Sequence, residues 1–114
     1  MKHTTMYAVA TMVAVVLLGL PGSARAQDAK KGEAVYTAQK CSGCHSVAGK
    51  GAKANPLDGV GKKLSAAEIR EWIVDPVAMT KKSGSQKKPP MPARYAKLPA
   101  GDIDSLVAYM QTLK

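Results

Sequence analysis

The chain has 114 residues, a formal net charge of +9, two cysteines, one tryptophan, four tyrosines and no phenylalanine. That length allows one domain at most, and so few aromatics leave a small core that needs a staple, a metal or a cofactor for stability. The positive charge suits an anionic partner, but basic and aromatic residues do not interleave, which argues against nucleic acid.

The chain opens with Lys2, an uncharged apolar run from Met6 to Leu20, a Pro21-Gly22 break and the small-residue pattern Ala24-Arg25-Ala26. This order reads as a secretory signal peptide cleaved after Ala26, leaving a mature domain over residues 27–114 and placing the protein in the periplasm. A retained anchor is the alternative, but a run of roughly 15 apolar residues is short against the ~20 needed to span a bilayer. Cleavage takes the formal charge from +9 to +7, because Lys2 and Arg25 leave while all eight acidic residues stay. It also removes His3, so His45 becomes the sole histidine, and leaves Met79, Met91 and Met110 as the methionines.

Three segments show helical spacing and none shows an alternating run long enough for a sheet, so the expected class is all-α. The first helix is expected from about Asp28, a candidate N-cap, to Lys40, and leads directly into the cysteines. The second is expected over 66–74, where Ser65 and Glu68 form a capping box, Ile69, Trp72 and Ile73 make an apolar stripe, and Asp75-Pro76 ends it. The third begins near Asp102 as a candidate cap and carries Ile103, Leu106, Val107, Met110 and Leu113 on one face. Ser46 to Leu64 and Val77 to Pro99 read as long irregular stretches, which a compact domain tolerates when they serve a function.

Cys41, Cys44 and His45 stand in the pentad CSGCH. A structural zinc site needs four ligands and finds at most three here. A thiol–disulfide exchanger places its first thiol at a helix start after a strand, and no strand precedes Cys41. A disulfide between the two would close a very small loop and constrain little. The pentad is, in full, a signature of covalent haem attachment, in which both sulfurs form thioethers and the next histidine ligates iron.

With that motif in place, the mature chain resembles the monohaem class I c-type cytochromes along nearly its whole length. The resemblance rests on GEAVY (Gly32 to Tyr36), CSGCH (Cys41 to His45), PLDGVGKKL (Pro56 to Leu64), EWIVDP (Glu71 to Pro76), Met91-Pro92 and IDSLVAYMQTL (Ile103 to Leu113). It implies a small cytochrome c-like fold of three or more helices and loops wrapped around one haem c, bound through Cys41 and Cys44. It also implies a methionine opposite His45 on the iron. The family's ligand precedes a proline, which points to Met91; the prolines at 89, 90 and 92 add a stiff extended path for it. Met110 reads as a core residue and Met79 as a loop residue packed over haem.

The family further implies a backbone carbonyl, expected at Pro56 with Asn55 as the alternative, accepting the other ring N–H of His45. It implies a crossing of the first and last helices at Gly32, Tyr36, Leu106 and Tyr109. Trp72 reads as a core residue and, in the family's terms, also as a donor to a haem propionate, since its N–H needs a partner if buried. The implied function is one-electron transfer rather than enzymatic turnover, by a monomer whose lysines meet acidic redox proteins, among them transient membrane-bound partners. A haem subunit of a larger oxidoreductase and a ligand-binding haem sensor are the alternatives.

Overall fold

The computed structural model describes residues 21–114; the apolar run of the expected leader lies outside the described residues. Helix α1 (Pro21–Ala38) starts well before Asp28, which is therefore an exposed helical residue and not a cap. Ala24 to Gln27 are good helix formers, and a proline is tolerated in a first turn. The helix ends where Lys40 takes a left-handed backbone conformation, φ 56°. A single 3-10 turn, Cys41–Gly43, follows at once.

The first stretch expected to be irregular folds back as a two-stranded antiparallel ribbon, β1 (Ser46–Val47) and β2 (Lys50–Gly51), with Ser46 opposite Gly51 and Val47 opposite Lys50. Its two-residue turn, Ala48-Gly49, has positive φ at both positions, 51° and 77°, as a tight hairpin of the right twist demands. Alanine is poorly suited to that geometry, and the Asp58 carboxylate steadies it by accepting the Ala48 N–H at 2.8 Å.

A short α2 (Val60–Lys63) is followed by α3 (Ala66–Val74), which has the expected bounds. Both halves of its capping box are made: the Ser65 hydroxyl accepts from Glu68 N at 3.2 Å, and the Glu68 carboxylate accepts from Ser65 N at 2.8 Å. Ser65→Ala is expected to cost about 1 kcal/mol, measured by urea unfolding. The bond from the Ser65 backbone N–H holds the Glu68 carboxyl below its ordinary pKa. A depressed folded pKa stabilises above the unfolded value and is lost as pH falls through the folded one. Glu68→Gln should therefore be less stable than the parent at neutral pH, with the gap closing on acidification.

Asp75-Pro76 does stop α3, yet it also opens α4 (Pro76–Ser83), so the second expected irregular stretch begins with a helix. Pro76 sits in the first turn, where its missing N–H costs nothing, and the Asp75 carboxylate accepts from Ala78 N at 3.0 Å. The same two residues serve as stop and start signal. Residues 85–92 form neither helix nor strand, in accord with the prolines there, before a 3-10 helix, Ala93–Lys97. Helix α5 (Ala100–Thr112) closes the fold. Its N-cap is Pro99, and Asp102 lies one turn in, paired with Lys31 of α1 at 3.3 Å.

Helices α1 and α5 cross as expected at Gly32. A Cβ there would overlap the Ser105 carbonyl oxygen and come within 2.7 Å of the Tyr109 Cβ, so only glycine lets the two backbones approach this closely. One turn on, Tyr36 and Tyr109 meet edge to face at 5.6 Å between ring centroids. Around this crossing lies one buried cluster: Tyr36, Ile69, Ile73, Tyr95, Ile103, Leu106, Val107 and Met110. The class is all-α, five helices and one small ribbon among the described residues.

Candidate haem centre

Cys41 opens the 3-10 turn and Cys44 caps its end, and both are free thiols. The Cys41 carbonyl accepts from the Cys44 and His45 amides at 3.1 and 3.0 Å, so the pentad is a tight coil that sends out side chains at positions 41, 44 and 45 within little more than one turn. Burial pushes the Cys41 thiol up, with a smaller opposing effect from its backbone bond. An exchanger needs a depressed thiol, so this environment does not suit disulfide chemistry. Among the described residues no three His, Cys, Asp or Glu side chains come together as a metal-ion site.

His45 is half-buried, and its Nδ1 lies 3.0 Å from the carbonyl of Asn55. A carbonyl can only accept, so Nδ1 carries the proton and Nε2 keeps its lone pair. The acceptor is thus Asn55 and not Pro56. Pro56 is exposed and is bridged in parallel to Ser46, while Leu57 N donates to the Ser46 carbonyl at 2.8 Å. That bridge sets the register: with Pro56 opposite Ser46 and Leu57 N bonded to the Ser46 carbonyl, the carbonyl that meets the imidazole belongs to the residue before the proline. The Asn55 side-chain amide also reaches the Cys44 carbonyl at 3.4 Å, tying the loop to the pentad.

Gly51 is a further positioning residue that the sequence does not single out. Its φ is +106°, and a Cβ on it would overlap the His45 carbonyl oxygen, so the ribbon packs directly on the backbone of His45. The Ala52 amide donates to the carbonyls of both Ser42 and His45, at 2.9 and 3.1 Å. A glycine just beyond a cysteine–histidine pair is the sequence trace of this contact.

Met91 is partly buried and packs against the same apolar cluster as Cys41, far from it in sequence. Below it, Tyr95 is buried, and Arg94 covers it, with its guanidinium 5.0 Å from the ring centroid and Nη2 donating to the hydroxyl at 2.9 Å. Met79 is not a loop residue: it is buried in α4, facing a cavity of about 260 Å³ with Glu71, Asp75, Ala78 and Lys82, and lies outside the cluster that Cys41 and Met91 touch. Met110 is a core residue, as expected. Trp72 is half-buried and outside the core cluster, because the stripe of α3 turns Ile69 and Ile73 inward instead. Its indole N–H has no hydrogen-bond partner among the described residues.

The residues present fit a covalently held haem. Two thiols free of any disulfide, an imidazole with Nε2 available, and a rim of partly buried apolar side chains, Cys41, Val47, Leu57, Leu98 and Met91 among them, would serve one large flat apolar group. A family model described as cytochrome c matches residues 29–114. No curated protein and no solved structure matches the chain. Members of that family carry haem c, with its iron, on cysteine thioethers, and Cys41 and Cys44 occupy the cysteine positions of the attachment motif. The match spans three quarters of the chain and includes the pentad: this is a haem-binding electron-transfer protein of the cytochrome c family.

Proposed function

We propose that the protein is a one-electron carrier of the periplasm, with haem c attached at Cys41 and Cys44 and the iron held between His45 and Met91. The observation that carries this reading is the 3.0 Å contact from His45 Nδ1 to the Asn55 carbonyl, which leaves Nε2 as the only nitrogen that can ligate. Haem iron supplies the chemistry by alternating between its ferrous and ferric states.

His45 contributes an imidazole of fixed orientation, braced by Asn55 on one side and by Gly51 behind its carbonyl. Met91 contributes a thioether from a segment with prolines on both sides; such a ligand raises the reduction potential. With His45 and Met91 both holding the iron, no coordination site would remain for a substrate, which favours a carrier over an enzyme. Pro56 acts through its place in the Ser46 bridge, and Trp72, half-exposed, is free to donate to a propionate at the cofactor edge.

Removal of residues 1–26 leaves α1 from Gln27 onward, with Asp28 in its first turn, and a basic monomer that meets acidic redox proteins. Steering by that charge contributes about 10- to 1000-fold to association and is screened by salt. Stopped-flow reduction by an acidic redox protein should therefore slow at least about tenfold between low and high ionic strength. The reading is tested first by a reduced-minus-oxidised spectrum of the periplasmic fraction and haem staining after denaturation. A haem released by denaturant would overturn it.

A further inference from the structure

The segment bearing Met91 is poorly tied to the rest of the molecule. Residues 85–92 form no regular structure, and Pro89, Pro90 and Pro92 have no N–H to give. The Gln86 side chain and the Lys87 amide bond only to neighbours, Gly84 and Ser85. Among the described residues, one hydrogen bond joins residues 86–92 to a distant part of the chain: Lys87 Nζ donates to the Ala54 carbonyl at 3.1 Å.

The place where that bond lands is informative. Ala54 precedes Asn55, whose carbonyl takes the His45 ring N–H at 3.0 Å and whose side chain reaches the Cys44 carbonyl at 3.4 Å. The Ser46 amide, next to His45, also donates to the Asn55 carbonyl, at 3.4 Å. From Lys87 the path to the imidazole therefore runs through two successive peptide units, Ala54-Asn55 and Asn55-Pro56. A displacement of the Met91 segment pulls on the loop that orients His45, and a shift in that loop is felt at Met91.

We propose that Lys87 is a positioning residue that latches the Met91 segment onto the His45 loop and so sets how readily the methionine yields its place to another ligand. This rests on the assignment of His45 and Met91 as the axial pair. Lys88, the next residue, is exposed and makes no such bond among the described residues, so the effect belongs to the position and not to positive charge in general. A protein in which the methionine dissociates transiently binds an added ligand in proportion to its dissociated fraction. Loss of one solvent-exposed charged hydrogen bond should raise that fraction about two- to tenfold.

The test uses the full haem-loaded protein and azide as probe, titrated against the ferric form, with the methionine–iron absorption band followed in parallel. Lys87→Met keeps the aliphatic stem and removes the donor; it should bind azide about two- to tenfold more tightly than the parent. Lys87→Arg, which keeps a donor, should return toward the parent, and Lys88→Met should match the parent. Unchanged azide affinity in Lys87→Met, or an equal gain in Lys88→Met, would overturn the latch. Met91→Ala separates the two ideas. If that variant keeps the methionine–iron band, the axial assignment falls and the latch falls with it. If the band is lost but Lys87→Met binds azide like the parent, only the latch falls.

Discussion

Met91→Ala is expected to abolish the ferric methionine–iron absorption band and to open the iron to added ligands, while haem remains covalently attached. The thioethers to Cys41 and Cys44 do not depend on the sixth ligand, and His45 keeps its bond to the Asn55 carbonyl. With Met91 as the proposed ligand, azide or imidazole would compete with a tethered thioether and reach the iron only from the minor dissociated state, typically about 0.1–10% of molecules. Removing the competitor should raise apparent affinity by the inverse of that fraction, about 10- to 1000-fold. The reduction potential should fall, since a thioether favours the ferrous form. Met79→Ala should leave the band intact: Met79 is buried in α4, away from the cluster that Cys41 and Met91 share. Loss of the band in Met79→Ala with its retention in Met91→Ala would reverse the assignment.

Gly32→Ala should be strongly destabilising. The added Cβ meets the backbone carbonyl of Ser105 and the Tyr109 Cβ at 2.7 Å, none of which can swing aside as a long side chain can. Helices α1 and α5 must separate, loosening the Tyr36–Tyr109 contact and the cluster beneath it. Overpacking of this kind costs about 1–3 kcal/mol or somewhat more, against which the better helix propensity of alanine returns up to about 1 kcal/mol. A net loss of about 2 kcal/mol corresponds to a Tm lower by on the order of 10 °C for a domain of this size. Gly101→Ala gives the contrast. Its Cβ would meet only the Lys31 Nζ, the end of a flexible side chain, at 3.7 Å, so the same substitution in α5 should be neutral or slightly stabilising. Equal thermal shifts in the two variants would refute the close-approach argument.

The helix crossing was legible only through the family resemblance, which sets a glycine and an aromatic four apart on the first helix against a leucine and an aromatic three apart on the last. The bounds of α3 were legible in the residues themselves, since its capping box is a local exchange of hydrogen bonds between Ser65 and Glu68. Local signals also misled. Asp28 and Asp102 have the chemistry of caps, yet α1 runs through the first and α5 begins at Pro99, ahead of the second. Asp75-Pro76 reads as an ending, although proline in a first turn serves equally as a beginning.

Cys41, Cys44 and His45 stood out in the chain alone because the attachment motif holds them at fixed local offsets, with no tertiary contact needed to bring them together. Met91 needed a resemblance, since no local spacing links it to His45. The acceptor for His45 depended on the folded loop. Every residue has a carbonyl, so side-chain identity does not mark the one that faces an imidazole; the bridge between Ser46 and Pro56 selects the Asn55 carbonyl over that of Pro56. For the same reason neither Gly51 behind the His45 carbonyl nor the reach of Lys87 to Ala54 is written in any motif. Such contacts arise when loops distant in sequence close on each other, and backbone atoms, which all residues share, do the closing.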